Sequence, residues 1–228
     1  MKISQAQKIK NHRHIIESAV KVFNREGYKA ATIKEIAKEA KMTEPSIYNY
    51  FPNKESLVFG YFELDLQNTI DHLNSQSSFA KLSFCEKIQA FMETQLEALE
   101  KNKRLVEESF KFIFVTSSIH SSLEVMQQKR ILTTFLRDYM LKSQKSGDFP
   151  TSPLDDFFIG LIWDFYVGIV CYWLKDTSPS YTNTSQLIDK SIVLLEEILK
   201  TNVANKLLDI IQFFVRNHLF NGLSAFHG

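Results

Sequence analysis

The segment from Thr32 to Leu57 constrains the fold most strongly, because it contains three helix-start patterns within 26 residues. At the first, Thr32 lies three positions before Glu35, and in such a pair each side chain can accept a hydrogen bond from the other residue's backbone N–H. The pattern predicts a helix that begins at Ile33. Apolar residues then recur at helical spacing; they are Ile33, Ile36, Ala37 and Ala40.

The second start pattern predicts a short helix that depends on its neighbours. Thr43 is a candidate N-cap, and a carboxylate and a proline follow it, which suit the positive end of the helix dipole and the first helical turn. Met42 and Ile47 are spaced as a hydrophobic staple across this cap. We expect a helix over residues 44–50, which at about two turns is too short to be stable alone in water.

The flanking segments complete a three-helix domain. Residues 5–26 have an amphipathic helical pattern that ends at Gly27, in the position of a left-handed C-cap. On the other side, Asn53 begins the third start pattern, which leads into a further apolar helix. Two short helices joined by a tight turn make a helix-turn-helix, whose second helix enters the major groove of DNA. We therefore predict a DNA-binding domain over residues 1–53.

The run from Phe23 to Leu57 resembles the DNA-binding domain of the TetR family of bacterial transcriptional regulators. The residues that carry the resemblance occur in order and without gaps; they are Phe23, Gly27, Tyr28, Thr32, Ile36, Ala37, Tyr48, Phe51, Lys54, Glu55 and Leu57. The resemblance implies an all-α fold in which a larger helical domain, here residues 54–228, binds an effector and forms a dimer.

One residue departs from the family pattern. Lys41 occupies the turn between the two short helices, where the family usually has glycine. If this position is left-handed, a residue with a Cβ costs about 1–2 kcal/mol there. Otherwise the turn is built differently, and the sequence leaves both alternatives open.

Charge is distributed unevenly along the chain. The whole sequence has a net charge of only +1, which at face value argues against a nucleic-acid partner. However, residues 1–57 contain 11 Lys or Arg against 6 Asp or Glu, and residues 58–228 contain 16 against 20. The positive charge therefore lies in the domain that would meet a phosphate backbone.

Side-chain chemistry suggests individual roles at double-stranded DNA. Tyr48, Thr32 and the helix start at Lys54 can reach phosphates, whereas the first turn of the short helix can read bases. Structural roles are the alternative: Glu44 serving only the helix dipole, Lys34 remaining a solvated charge, or Tyr48 packing locally. The predicted DNA-binding residues, at positions that contact the operator in the family resemblance, are Thr32, Lys34, Glu44, Pro45, Ser46, Tyr48, Asn49, Tyr50 and Lys54.

Beyond residue 57 every strong periodicity is helical. Helices are expected near 54–75, 82–101, 103–119, 121–146, 154–175, 184–201 and 203–221. No serine elbow, phosphate loop or zinc-ligand spacing appears, so we expect no enzymatic activity, catalytic residue, cofactor or metal. Cys85 and Cys171 lie in apolar helical patterns, which favours buried, reduced thiols, and the absence of a signal-peptide pattern favours a cytoplasmic protein.

The most apolar segment, residues 154–175, allows three interpretations. Residues 157–174 contain one charge in 18, close to the length of a membrane span, but that charge, Asp164, lies in the middle and the N-terminal flank is acidic. The segment is otherwise a buried core helix or a dimer helix. An apolar stripe on each of two predicted helices favours the dimer. The stripe in residues 154–175 is Phe158, Leu161, Phe165 and Gly168, and the stripe in residues 184–201 is Ile188, Ile192, Leu195 and Leu199. We expect a homodimer whose four-helix interface is formed by residues 154–175 and 184–201, as the family resemblance implies.

Aromatic residues are concentrated in the larger domain, which contains both Trp and 17 of the 19 Phe residues. For any one of them, filling the core is the plainer explanation. Alternatively, some line an apolar cavity for an effector, with Asp164 as a polar anchor or, instead, a core or dimer contact. The candidates are Phe110, Phe114, Tyr139, Trp163, Asp164 and Tyr166. Such a cavity suits an uncharged or cationic aromatic or fatty molecule.

The sequence as a whole predicts a cytoplasmic, homodimeric repressor. Its two motif helices would read half-sites of a palindromic operator about 34 to 36 Å apart or somewhat more. A small-molecule effector would tilt the helix that starts near Lys54 and so release the DNA. The alternative is a helical interaction protein or a membrane-associated protein without sequence-specific DNA binding.

Overall fold

A computed structural model of the chain describes residues 4–115 and 123–201 together with Lys206 and Asp209. Within these ranges all regular secondary structure is helical, which confirms the all-α prediction. The helices are α1 Gln5–Glu26, α2 Ile33–Glu39, α3 Glu44–Tyr48, α4 Lys54–Ser75, α5 Ser77–Ala80, α6 Phe84–Glu100, α7 Lys103–Val115, α8 Leu123–Ser146, α9 Asp155–Trp173 and α10 Thr182–Lys200, with a 3₁₀ turn at Pro179–Tyr181.

Most predicted helix bounds agree with the structure to within two residues. The short helix α3 ends at Tyr48, two residues before the predicted end near Tyr50. There the backbone N–H groups of Tyr50 and Phe51 both donate to the carbonyl of Ile47, at 2.9 Å each, which closes the helix. The predicted helix at 203–221 and the end of the one at 103–119 lie outside the described ranges.

The first three helices enclose a small apolar core with the start of α4. Phe23 of α1, Ile36 of α2, Ile47 of α3 and Leu57 of α4 are each at most 1% exposed. Burial of side chains of this size stabilises a fold by about 1.5–3 kcal/mol each. The core therefore supplies the platform that the short helices α2 and α3 require.

Helix α4 belongs to both parts of the molecule. It packs on α1 of the first domain and on α6 and α8 of the larger domain. At Gly60 of α4 an added Cβ would lie 3.0 Å from the Phe51 ring and 3.1 Å from Ile16 of α1, so these side chains would have to shift. Any tilt of α4 in the larger domain is therefore transmitted to the first domain through a tight contact.

The two cysteines differ in burial. Cys85 is buried, as predicted, but Cys171 is exposed. The prediction of a buried thiol was wrong for Cys171 because it lies on the face of α9 that points away from the chain's own core. An apolar helical pattern does not by itself tell which of its positions face the core.

Candidate functional site

Helix α2 starts on the predicted capping box. The backbone N–H of Glu35 donates to Thr32 Oγ1 at 3.2 Å, and the backbone N–H of Thr32 donates to Glu35 Oε2 at 2.9 Å. The Thr32 hydroxyl also donates to Glu35 Oε2 at 2.8 Å, and this bond, together with the one from the Thr32 backbone N–H, lowers the pKa of Glu35. The box fixes where α2 begins, and hence where Lys34, which is exposed, projects from its first turn.

The turn between α2 and α3 is left-handed at Lys41, which has φ 53°. The N–H of Lys41 donates to the carbonyl of Lys38 at 3.2 Å, and the N–H of Met42 donates to the carbonyl of Ala37 at 2.9 Å. This pair of bonds is the Schellman motif, in which the residue at the Lys41 position is usually glycine. Lys41 therefore adopts the strained conformation at a cost of about 1–2 kcal/mol, and the first of the two alternatives is correct.

Helix α3 is held by its N-cap and its staple. The N–H of Ser46 donates to Thr43 Oγ1 at 3.4 Å, and Ile47, the C-terminal member of the staple, is fully buried. Partly buried Met42 packs against the same core. The opposite face of α3 is left exposed; its exposed residues are Glu44, Pro45, Tyr48 and, at the C-cap, Asn49. We call these four residues together with Lys34 the outer face.

Tyr48 and Tyr50 have different environments. The Tyr48 side chain is 50% exposed on the outer face. Tyr50 is only partly exposed, and its Oη accepts a hydrogen bond of 3.0 Å from Asn11 Nδ2 of α1. Tyr50 therefore ties the end of α3 to α1, whereas Tyr48 is free to meet a partner.

Lys54 is engaged within the protein in a way that the sequence did not indicate. Its Nζ donates to the carbonyls of Tyr28 at 2.7 Å, Lys29 at 3.1 Å and Ala31 at 3.1 Å. The same ammonium lies 4.7 Å from the centroid of the Tyr28 ring, a cation–π contact. Because an ammonium has three donors, Lys54 fastens the loop between α1 and α2 to the start of α4. A phosphate contact through its Nζ, as expected from the sequence, would require these bonds to break.

The same loop is bound to the larger domain. The backbone N–H of Tyr28 donates to Glu108 Oε2 of α7 at 2.7 Å, and Arg104 donates to Glu108 Oε1 at 2.9 Å. Burial acts to raise the pKa of Glu108, but these hydrogen bonds outweigh it and lower the pKa overall. At Gly27, with φ 86°, an added Cβ would lie 3.0 Å from Arg104 Nη2. The absence of a side chain at Gly27 therefore lets α7 approach the DNA-binding domain.

An apolar cavity lies among α4, α6, α7, α8 and α9 of the larger domain. Phe110, Trp163 and Tyr166 line it, as predicted, and Phe59 and Phe62 of α4 form its other aromatic wall. Its volume is about 30 Å³, roughly that of one water molecule. A larger ligand therefore has to separate α4 from α9 or α7. The predicted lining residue Phe114 has a side chain outside the described set.

Two predicted cavity residues lie elsewhere. Asp164 is on the outer side of α9, with 64% of its side chain exposed, and pairs with Lys129 at 3.6 Å. Its assignment as a polar anchor was wrong, because consecutive helical residues point about 100° apart and Trp163 takes the inward direction. Tyr139 is also absent from the cavity lining; it borders a separate groove, where its Oη donates to Asn74 Oδ1 at 2.7 Å.

A polar pair that the sequence did not indicate lies close to the cavity. Gln95 of α6 is 1% exposed, and its Nε2 donates to Asp65 Oδ2 of α4 at 2.7 Å. Burial raises the pKa of Asp65 to about 6, although this hydrogen bond and the charge of Lys101 oppose the shift. No sequence pattern distinguishes Asp65 from Glu63 and Asp71, the other carboxylates nearby on α4.

The apolar stripe of α10 that was predicted to form the dimer interface faces the interior of the chain instead. Ile188, Ile192 and Leu199 of the predicted stripe are buried within the chain, so they do not form a dimer surface. The error arises because α10 has two apolar faces and residue spacing does not distinguish them. Large apolar residues that α9 and α10 leave exposed are Phe157, Leu161, Tyr172, Leu187, Val193 and Leu194.

Helix α9 is long and apolar enough to cross a membrane by length and composition, and 33% of its apolar window is buried in the chain. On its exposed side, a Cβ added at Gly160 or Gly168 would meet nothing within 4 Å. Among the described residues no group of three or more His, Cys, Asp or Glu side chains could hold a metal ion.

We call the DNA-binding domain of residues 1–53 the head. This three-helix head with its outer face, joined to the larger helical domain, defines a helix-turn-helix DNA-binding protein. The family described as bacterial regulatory proteins, tetR family, matches residues 15–60, and the family described as tetracyclin repressor-like, C-terminal domain, matches residues 87–214. The chain belongs to the TetR family of DNA-binding transcriptional regulators. This membership confirms the resemblance and does not favour the membrane or interaction alternatives.

Relatives match either the head alone or most of the chain. The uncharacterized regulator YuxN of Bacillus subtilis is 48% identical over 44 residues, which is 19% of this chain and 15% of YuxN. The repressor KstR of Mycobacterium tuberculosis is 23% identical over 193 residues, covering 84% of this chain and 83% of KstR. The structure of Thermus thermophilus FadR in complex with lauroyl-CoA has a TM-score of 0.64 and 16% identity, over 82% of this chain and 93% of FadR. At this identity the likeness to FadR shows the fold.

Proposed function

We propose that the protein is a cytoplasmic, homodimeric repressor that binds a palindromic operator and is released by a small apolar or aromatic effector. The observation that carries the proposal is the outer face of α3, which is exposed while the cap at Thr43 and the buried Ile47 hold the helix in place. A short helix fixed in this way can enter a major groove without being ordered by it.

Base and phosphate contacts are divided among the predicted residues. Glu44 can accept a hydrogen bond from a cytosine amino group, Pro45 can meet a thymine methyl group, and Lys34 can donate to guanine. The Tyr48 hydroxyl donates a hydrogen bond to a phosphate. The backbone N–H groups at the start of α4 donate to another phosphate, because the Lys54 ammonium is already bound to loop carbonyls. The remaining predicted contacts are Thr32, Ser46, Asn49 and Tyr50.

The dimer is proposed to form through the outward faces of α9 and α10. Leu161 and Tyr172 of α9 and Leu194 of α10 are exposed in the single chain, which is unfavourable unless a partner covers them. The open space beside Gly160 and Gly168 permits a second helix to approach α9 closely. Four helices from two subunits then enclose these residues, and the two outer faces lie about one turn of DNA apart or somewhat more.

Effector binding is coupled to the head by two connections. Helix α4 carries the cavity residues Phe59 and Phe62 and begins at Lys54, which holds the loop of the head. Helix α7 carries the cavity residue Phe110 and the carboxylate of Glu108, which binds the same loop. A ligand that opens the cavity displaces one or both helices and so shifts the population away from the DNA-binding arrangement.

A pair of substitutions on the outer face tests the proposal. Tyr48→Phe removes only the hydroxyl and should weaken operator and non-operator DNA alike, by about tenfold to a hundredfold for the two phosphate hydrogen bonds that a dimer loses. Glu44→Ala should instead change the base preferred at one position of the half-site. Gel-shift titration and sequencing of selected sites measure the two effects. Unchanged affinity in the first variant together with an unchanged selected site in the second would contradict the proposed contacts.

A further inference from the structure

The Gln95 side chain has an unpaired atom in the interior. Its Nε2 is bound to Asp65, but its Oε1 is buried and has no hydrogen-bond partner. An acceptor left without a donor in the interior costs about 1–3 kcal/mol. Gln95 Oε1 can therefore gain a hydrogen bond from any donor that reaches it.

Neither Asp65 nor Gln95 lines the apolar cavity, but each is one helical turn from a residue that does. Asp65 is one helical turn after the cavity residue Phe62 on α4, and Gln95 is one turn before the cavity residue Leu99 on α6. Tyr166 joins the two regions, because it lines the cavity and its pKa is raised by burial, then by the nearby charge of Asp65. A cavity enlarged past Tyr166 would extend toward the pair.

The pair presents hydrogen-bond acceptors. Gln95 Oε1 lacks a donor, and Asp65 is a carboxylate whose nearest opposing cation is Lys101, which acts on it through charge rather than a hydrogen bond. A ligand anion would meet this carboxylate in a desolvated site, where like charges repel strongly. A hydroxyl or amino group would instead satisfy Gln95 Oε1.

We propose that Asp65 and Gln95 form the polar end of the effector site and bind the hydroxyl or amino group of a ligand whose remainder is apolar and aromatic. The inference rests on the proposed effector function of the cavity, and it names the ligand chemistry that the cavity selects. The ring of the ligand packs against the aromatic residues of the cavity, which are Phe59, Phe62, Phe110 and Trp163. Gln95 accepts a hydrogen bond from the polar group of the ligand.

Four probes that share a 4-propylphenyl group test this selection by isothermal titration calorimetry on the full-length protein. They are 4-propylphenol, 4-propylbenzylamine, 4-propylanisole, in which the hydroxyl donor is capped by a methyl group, and 4-propylbenzoate. The phenol or the amine should bind at least tenfold more tightly than the anisole, since a site built to bind a donor rejects the analogue without one. The benzoate should bind most weakly. The order of phenol and amine then distinguishes a neutral from a cationic ligand.

Gln95→Met removes the acceptor. In this variant the phenol or the amine should bind less than threefold more tightly than the anisole. The matched control is Gln144→Met, because Gln144 Oε1 is also buried without a partner but its Nε2 binds Asp155, away from the cavity. This control should keep the full preference. If Gln95→Met does not fold, Asp65→Asn serves instead and should lose any preference for the amine over the phenol.

Each outcome separates the inference from the proposed function. Equal binding of phenol and anisole, tightest binding of benzoate, or a preference that survives Gln95→Met would overturn the polar site and leave the DNA-binding function standing. No binding of any probe would overturn both the polar site and the effector role of the cavity. Failure of the DNA-binding function itself is judged separately, by the gel-shift titration of the outer-face variants.

Discussion

The backbone N–H of Tyr28 in the DNA-binding head donates a hydrogen bond of 2.7 Å to Glu108 Oε2 in the larger domain. Glu108 lies on the same helix as Phe110, which lines the apolar cavity. A displacement of α7 at the cavity therefore breaks or reorients a bond to the loop on which the head depends. The relationship gives the protein a second route from cavity to head besides α4.

Glu108→Ala is expected to loosen the head without touching DNA. A hydrogen bond to a charged group contributes about 1.5–3 kcal/mol, and loss of this one should lower protection of the Tyr28 amide against hydrogen exchange by about tenfold or more. Hydrogen-exchange mass spectrometry of the loop measures the change. Glu100→Ala, at the exposed end of α6, is the matched control. Equal exchange in the two variants would show that the bond does not hold the loop.

Lys54→Met distinguishes a structural lysine from a phosphate-binding one. Since its Nζ donates to three carbonyls, the substitution should destabilise the fold by about 2–3 kcal/mol and weaken binding to all DNA. The salt dependence of DNA binding should stay nearly the same, because no phosphate loses its counter-charge. Loss of a true phosphate contact in each subunit would lower the slope of log K against log salt by about 0.9 per contact, or about 1.8 for the dimer. A slope reduced by that amount would restore the sequence-based role of Lys54.

Lys41→Gly is expected to stabilise the protein. Glycine relieves the left-handed strain at φ 53° but adds freedom to the unfolded chain, so the net gain should be about 0.5–1 kcal/mol, or a rise in Tm of about 1–4 °C. Lys41→Ala keeps the strain and removes the charge, so it separates the two effects in the same thermal melt. A glycine variant that melts no higher than the alanine variant would mean that the turn carries no strain.

Asp65 makes stability depend on pH. Burial raises its pKa in the folded protein to about 6, whereas the unfolded value is near the ordinary one of about 3.9. The folded state therefore binds the proton more tightly, so stability is lost as the pH rises from about 4 to about 6 and changes little above that. Asp65→Asn should gain stability relative to the wild type over this window, by about 3 kcal/mol at neutral pH, since one pKa unit corresponds to about 1.4 kcal/mol. Urea unfolding at pH 4 and pH 7 measures the gain, and a gain equal at both values would contradict the shifted pKa.

Local features of the head were predictable from sequence because their partners are near in the chain. In each helix cap of the head the two partners are three residues apart, so side-chain type and spacing determine the cap. The pairs are Thr32 with Glu35, Thr43 with Ser46, and Asn53 with Ser56. The bonds of Lys54 were not predictable, because its acceptors lie 23 to 26 residues away and a loop carbonyl has no sequence pattern.

Features of the larger domain were predicted less well because they depend on how helices are rotated. Of the residues suggested as effector contacts, Phe110 and Trp163 line a cavity, whereas α9 turns Asp164 outward to Lys129. The partners Asp65 and Gln95 lie 30 residues apart on two helices, and only the packing of α4 on α6 brings them together.

Selection of binding sites from random double-stranded DNA by the wild-type protein, followed by sequencing, tests most directly whether the outer face reads a palindromic operator. The selected pool should converge on an inverted repeat whose half-site centres are about one helical turn apart or somewhat more, because each subunit presents one α3 helix. Selection at several salt concentrations separates this specificity from binding to phosphates alone. A pool without any enriched inverted repeat, at every salt concentration at which DNA is bound, would contradict operator recognition by this protein.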